Sequence, residues 1–295
     1  MNDHIIRALS ASGGIRILIC CATELAREIC KLQGTSPTAS IAMGRGLAGG
    51  ALMGALLKQN QRVALKFEGN GPLRKLIIEA DSDGAVRGSA GNPAAEAAPV
   101  DGRWNVAGLL GKAGFLTVSK DLGIGGEPYH GMVQLCSSEI GDDLAYYLTE
   151  SEQVPSAVGL GASLDEHGHI AVCGGFLVQA LPKADSAEID EIMAVIGSLP
   201  PIPELLRDGG PQMLLERLMG TVASVLLESK EIFFRCGCSR DKVERALLSF
   251  GKDELRDMAV KEKGAEITCE FCHKVYSFDA PDLEQIIAAT ATAEP

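Results

Sequence analysis

Nine cysteines stand in this chain, and four fall into two close pairs near its C-terminal end, Cys236-Gly237-Cys238 and Cys269-Glu270-Phe271-Cys272. Thiolates are the chemistry of soft metal ions and of reversible oxidation. Two closely spaced sulfurs on each of two turns can wrap one tetrahedral ion, and the 30 residues Ser239 to Thr268 between the pairs leave room for a small helical insertion. The expected ion is Zn2+, one per chain. With Cys236, Cys238, Cys269 and Cys272 all as ligands the tetrahedron is complete, which argues against a hydrolytic centre that keeps one position for water. Closed sites of this kind are ordinarily structural staples. The tight spacing adds another capability: with the ion gone, each pair could close on itself, and a strained short-loop disulfide is readily reduced again. Oxidant attack on the thiolates would then expel the metal and unfold whatever relies on it, which is the behaviour of a redox sensor.

The elements that must position these sulfurs are small. From Ile232 onward the pattern gives a helix from about Asp241 to Phe250, another from Asp253 to Val260, and a strand-like Lys274 to Phe278. Cys269 and Cys272 therefore precede a strand, whereas a thioredoxin-like pair opens a helix. A segment of about 60 residues is near the lower limit for an independent core, so bound metal is expected to supply much of its folding free energy. Upstream, Ile15 to Cys21 has strand character and Thr23 to Leu32 carries Leu25, Ala26, Ile29 and Cys30 at helical spacing. Ser36-Pro37 opens a further helix. Val63, Leu65 and Phe67 alternate with polar neighbours, and Gly69-Asn70-Gly71-Pro72 turns the chain into Leu73 to Ile78, a β-hairpin signature. Phe115 to Ser119 and Met132 to Leu135 read as short strands, and Ile140 to Leu148 as a helix.

The fold class is thus α+β in three regions: a mixed α/β N-terminal core domain at 1–182, an amphipathic helical linker region at 183–231, and a small C-terminal zinc-binding domain at 232–295. The middle region is read as helical through Ile189, Ile192, Ile196, Leu214, Leu218, Val222 and Leu226, with Pro200, Pro201 and Pro203 breaking it in two. It carries nine acidic residues against four basic, and its apolar face needs a partner: the first region, another subunit or a bound chain.

The chain has 295 residues, a formal charge of −12 and a pI of about 4.9, so phosphate backbones and anionic lipids are repelled over most of it. Neither nucleic acid nor membrane is an expected partner. Asp3 and the short run Ile15 to Ala22 do not make a secretory signal, and Ile41 to Leu57, interrupted by Arg45 and five glycines, reads as a buried helix. A cytoplasmic location is expected, where cysteines stay reduced or bind metal. The residues 232–289 carry 9 basic and 11 acidic side chains, which weakens the alternative of a zinc-ribbon-like nucleic-acid binding module. A thiol oxidoreductase is the third class considered.

The run Phe234-Arg235-Cys236-Gly237-Cys238-Ser239, with Cys269-Glu270-Phe271-Cys272 and Tyr276-Ser277-Phe278, resembles the heat-shock protein 33 family of redox-regulated holdase chaperones, also called 33 kDa chaperonins. Gly69-Asn70-Gly71-Pro72, Val86-Arg87-Gly88, Tyr129 to Val133, Ser151 to Pro155 and Gly174-Gly175 through Gln179 to Pro182 match the family's pattern in order, so the likeness spans nearly the whole chain. The resemblance implies an ATP-independent chaperone, inactive when reduced and zinc-bound. Oxidation to the disulfides Cys236–Cys238 and Cys269–Cys272 would release zinc, loosen the middle region, and produce a homodimer that holds unfolding client proteins. It implies no catalysis.

Five cysteines lie outside the pattern. Cys20, Cys21, Cys30, Cys136 and Cys173 are each expected to be buried small hydrophobes, with Cys20 and Cys21 on opposite faces of a strand. Gly44-Arg45-Gly46-Leu47-Ala48-Gly49 matches a dinucleotide-binding string but follows a helix-like stretch, so close helix packing is the expectation. Gly108 to Gly111 and Gly123 to Gly126 read as turns without a phosphate-loop lysine. His167-Gly168-His169 reads as a solvated turn, Lys120-Asp121 as a strand end, and no Ser, His and Asp set forms a triad.

Overall fold

A computed structural model of the chain describes residues 3–291, which fall into two compact units, one running to Arg235 and one beginning at Cys236. In chain order the first unit comprises β1 (His4–Ser10), β2 (Ile15–Cys21), α1 (Thr23–Gln33), α2 (Pro37–Gly54), β3 (Arg62–Gly69), β4 (Lys75–Asp81), β5 (Ala85–Ala90), α3 (Val106–Leu110), β6 (Gly114–Asp121), β7 (Tyr129–Gln134), α4 (Ile140–Glu150), β8 (Ser156–Leu164), β9 (Ile170–Ala180), α5 (Ser186–Ser198), α6 (Ile202–Met219), β10 (Ser224–Glu231) and β11 (Phe233–Phe234). The second holds α7 (Arg240–Leu248), α8 (Lys252–Asp257), a π-helical turn at Met258–Glu262, β12 (Gly264–Thr268), β13 (Val275–Asp279) and α9 (Ala280–Ala291).

Two sheets organise the first unit, with strand orders β10-β1-β2-β9-β8 and β11-β5-β4-β3-β6-β7. Strand β2 shows why its sequence is nearly continuous in apolar residues. Leu18 and Cys20 face a core shared with α1 and α2, while Ile15, Ile17 and Ile19 face a second core built with Leu205, Leu206, Leu214, Leu215 and Leu218 of α6. A strand covered on both faces has no polar side to display. Strand β9 repeats the division, with Cys173 and Leu177 on one side and Phe176 and Val178 on the other.

Helix α2 runs between the sheets and is buried along almost its whole length. Ser36 caps it by accepting from Ala39 N–H, and Pro37 fills the first turn, where an N–H has no intrahelical partner anyway. Its glycines settle the dinucleotide-like string. A Cβ on Gly50 would lie 2.4 Å from Ile78 Cγ2, and one on Gly46 3.0 Å from Leu76 Cδ2, so these positions are bare because β4 packs against the helix backbone.

The expected strand at Ile15 to Cys21, the helix after Thr23 and the β3–β4 hairpin are all present. The prolines do divide α5 from α6, and α6 itself kinks at Gly210 (φ 66°) before Pro211. The helical reading fails beyond Gly220. Ser224–Glu231, including Leu226, is a strand paired antiparallel with β1, because α6 stops at Gly220 (φ 54°) and the next residues satisfy the open edge of the sheet. Gly108 lies inside the one-turn helix α3, capped by Asn105, rather than in a turn.

Candidate metal centre

The four paired cysteines come together in the second unit. Cys236 and Cys238 lie just before α7, whose N-terminus is fixed by Ser239 Oγ accepting from Lys242 N–H at 3.3 Å. Lys242 Nζ in turn donates to Gly237 O at 2.5 Å, closing the turn between the two sulfurs. Cys269 and Cys272 occupy the turn of the β12–β13 hairpin. Cys269 N–H donates to Lys274 O at 3.0 Å, His273 N–H donates to Cys269 O at 2.9 Å, and His273 adopts a left-handed φ of 56° that lets the chain double back. His273 thus serves through its backbone.

All four sulfurs lie within 4.8 Å of one another, with Cys236 Sγ to Cys269 Sγ at 3.6 Å and Cys238 Sγ to Cys272 Sγ at 3.4 Å. A zinc–sulfur bond of about 2.3 Å in a tetrahedron requires sulfur edges of about 3.8 Å, and a disulfide would require about 2.05 Å. The arrangement therefore fits four thiol ligands around one ion, not a bonded pair. All four cysteines are only half-buried, within reach of a small oxidant.

Tyr276, on β13 and almost fully buried, donates its hydroxyl to Cys238 Sγ at 3.1 Å. Burial alone would raise the Cys238 thiol, but hydrogen bonds from Tyr276 and the neighbouring cysteines outweigh it and bring the thiol down to about 7. Burial, opposed by the Lys274 backbone, pushes Cys272 up to about 12. The phenol hydrogen bond favours the charged form of Cys238. The sequence offers only a weak signal for this contact, an aromatic hydroxyl on an inward-alternating position four residues beyond Cys272.

The core beneath the site is slight: Leu247, Leu255, Ala259, Tyr276, Phe278 and Leu283 are its buried members. Arg240 braces it from outside, stacking its guanidinium 4.2 Å from the centre of the Phe278 ring and pairing with Asp282 at 2.7 Å.

The remaining cysteines behave differently. Cys20, Cys21, Cys30 and Cys173 are buried, and burial pushes all four thiols up. Cys136 departs from the expectation and is exposed. It sits in the loop before α4, where its thiol and backbone N–H both point to Asp143 Oδ1, at 3.2 and 2.8 Å, instead of packing. His167 and His169 flank Gly168 in a turn held by Asp165, as their polar surroundings indicated. Lys120 pairs with Glu152, which also accepts from the buried Tyr147 hydroxyl at 2.6 Å.

The profile of the family described as Hsp33 protein matches residues 3–279. The chain belongs to the Hsp33 family. Among curated members, the 33 kDa chaperonin of Pelobacter propionicus is 69% identical over 292 residues, covering 99% of this chain and 96% of that protein. The 33 kDa chaperonin of Geobacter sulfurreducens is 52% identical, covering 97% and 95% respectively. A solved structure of the 33 kDa chaperonin (heat shock protein 33 homolog) of Thermotoga maritima is 34% identical and superposes with a TM-score of 0.90, over 99% of this chain and all of that one. A mixed α/β chaperone fold of the Hsp33 family, carrying a four-cysteine cluster able to hold a metal, is the result. No helix among the described residues is long and apolar enough to cross a membrane.

Proposed function

We propose that this chain is a redox-regulated, ATP-independent holdase that is inactive when reduced and becomes active when its cysteine cluster is oxidised under stress. The observation that carries the reading is the meeting of Cys236, Cys238, Cys269 and Cys272 within 4.8 Å over a core of six buried side chains. Zinc is the ion that suits four thiolates at these separations, and when bound it would tie the Cys236–Cys238 turn to the β12–β13 hairpin. The protein's own residues supply the rest. Tyr276 and the backbone around Gly237 and Lys274 hold the sulfurs converged, and half-exposure admits peroxide.

Oxidation of each close pair forms one S–S bond as two thiols lose two electrons and two protons to one peroxide, which leaves as two waters. Pairing within Cys236–Cys238 and within Cys269–Cys272 follows the family resemblance, and close sulfur approaches also run crosswise, Cys236 to Cys269 at 3.6 Å and Cys238 to Cys272 at 3.4 Å. The division into a core at 1–182, a middle region at 183–231 and a switch at 232–295, the oxidised homodimer and the cytoplasmic setting belong to the same proposal. The nucleic-acid-binding alternative finds no support in a segment with more acidic than basic residues.

One sample tests the reading. Metal content, disulfide mapping by mass spectrometry and suppression of aggregation of a chemically unfolded protein are followed before peroxide, after it, and after thiol reduction. Release of one zinc per chain, two intra-pair disulfides and reversible gain of suppression are expected. Retained zinc, or equal suppression by the reduced protein, would sink it.

A further inference from the structure

Four thiolates around one divalent ion keep about two negative charges that the ion does not cancel. The charges placed beside such a cluster therefore shape what its sulfurs do. Its cationic neighbours are committed in different ways. Arg240 is held by Asp282 at 2.7 Å, by Glu244 at 3.2 Å and by the Phe278 ring. Lys274 lies over the Tyr276 ring, 5.1 Å from its centre. Lys242 instead folds back from α7 onto the Cys236-Gly237-Cys238 turn, where its ammonium donates to Gly237 O and a Cβ on Gly237 would lie 3.4 Å from Lys242 Nζ. No carboxylate among the described residues pairs with it.

Helix physics makes this placement informative. Lys242 stands in the first turn of α7, where the partial positive charge of the helix N-terminus favours acids and disfavours a cation. Ser239 already caps that end, its Oγ and its backbone carbonyl both accepting from Lys242 N–H, at 3.3 and 3.1 Å. The ammonium adds nothing that the helix needs. A residue that breaks a local rule in this way points to a role at the site it faces. What it faces is Gly237, so the cation lies over the short segment that carries two of the four sulfurs.

We propose that Lys242 is the counter-charge of the cysteine cluster, tightening its hold on the metal and raising the amount of peroxide the chain withstands before the metal leaves. The inference rests on the zinc-switch reading and names what sets its threshold. The loaded cluster carries net negative charge where a set of metal-free thiols carries little, so a fixed cation favours the loaded form. Oxidation begins as a thiolate sulfur gives an electron pair to one peroxide oxygen; the O–O bond breaks, and a sulfenic acid and hydroxide form. A second thiolate then attacks that sulfur, and another hydroxide leaves as the S–S bond closes. In the first step negative charge leaves the sulfur. A cation fixed beside it stabilises the starting thiolate more than the transition state, and the attack slows.

The test compares full-length, zinc-loaded parent, Lys242→Met and Lys242→Arg. For Lys242→Met, zinc affinity in chelator competition is expected to fall about three- to tenfold, and peroxide-driven zinc release to quicken by a similar factor, the modest size reflecting an exposed cation. Lys242→Arg should stay within about twofold of the parent on both measures. Raising salt from about 0.1 M to about 1 M shortens the screening length from about 10 Å to about 3 Å and should bring parent and Lys242→Met together. Lys242→Gln serves as the neutral variant if Lys242→Met loses α7 protection in hydrogen exchange. Equal affinity and release in the parent and the neutral variant overturn the proposal. A gap that survives high salt also overturns it, since the lysine would then act only through its hydrogen bond to Gly237. Slower release from the neutral variant overturns it as well, because the ammonium would then be assisting the departing hydroxide. A parent that binds no zinc removes the switch reading itself, and the inference falls with it.

Discussion

Nine thiols share one chain, and burial together with hydrogen bonding separates their fates. Cys20, Cys30 and Cys173 sit in the core around α2, where a thiolate would be desolvated, and Cys136, although exposed, faces the Asp143 carboxylate, which disfavours a second negative charge. Only the clustered four combine access with one another's company, and among them Cys238 has a hydrogen-bond donor for its charged form. Tyr276 is the positioning residue among their neighbours, since its hydroxyl points at Cys238 Sγ. Outer-shell hydrogen bonds to metal ligands are commonly worth about 10- to 100-fold in metal affinity. Tyr276→Phe keeps the ring in the small core and removes only that bond, so zinc affinity measured by chelator competition is expected to fall by about that range. Far-ultraviolet circular dichroism of the zinc-loaded variant should match the parent. Unchanged affinity would mean that the phenol merely fills space. The convergence of the four cysteines was legible from spacing, because short C-x-C and C-x-x-C loops leave few other uses. The phenol contact was not, since it depends on how β13 is oriented over the first cysteine turn.

At the scale of elements, the sequence spoke most plainly where a side-chain period is enforced by two packed faces. β2, α1 and the β3–β4 hairpin could be placed because Leu18 and Ile19 face different cores, and Val63, Leu65 and Phe67 share one buried face while Ala64 and Lys66 between them do not. β10 could not, because its residues are exposed on both sides and its apolar Val225, Leu226 and Leu227 fit a helical period as well as an extended one. The edge of β1, a distant need, decides the matter. Helix α2 gives a case where two magnitudes oppose each other. Replacing a mid-helix glycine by alanine gains about 1 kcal/mol of helix propensity, whereas forcing a methyl into a filled core costs about 1–3 kcal/mol. At Gly50 the new methyl would sit 2.4 Å from Ile78 Cγ2, with Ile78 itself buried on a central strand that cannot retreat, so overpacking wins. Gly50→Ala is expected to lower the stability of the first unit by about 1–2 kcal/mol in denaturant titration. A variant as stable as the parent would show that the α2–β4 spacing is looser than these distances.

For the whole molecule the division at Arg235 and Cys236 separates two sources of stability. The first unit buries dozens of apolar side chains in two cores, whereas the second buries six among the described residues, too few to expect it to stand without the ion proposed to draw its four thiols together. Removing a metal ligand set should therefore act on one unit and spare the other. On that basis Cys269→Ser with Cys272→Ser, or a strong chelator added to the reduced parent, is expected to abolish amide protection in α7, β12 and β13. Protection of α2 and of the β3–β4 hairpin should stay within about a factor of three of the zinc-loaded parent, because their buried side chains belong to the first unit's own core. Two outcomes of hydrogen exchange would contradict this account. Persistent protection of β12 and β13 without metal would make the ion a passenger in an already stable fold. Collapse of α2 along with the cysteine unit would show that the metal holds the entire chain together, and the proposed switch would then dismantle the chain it is proposed to activate.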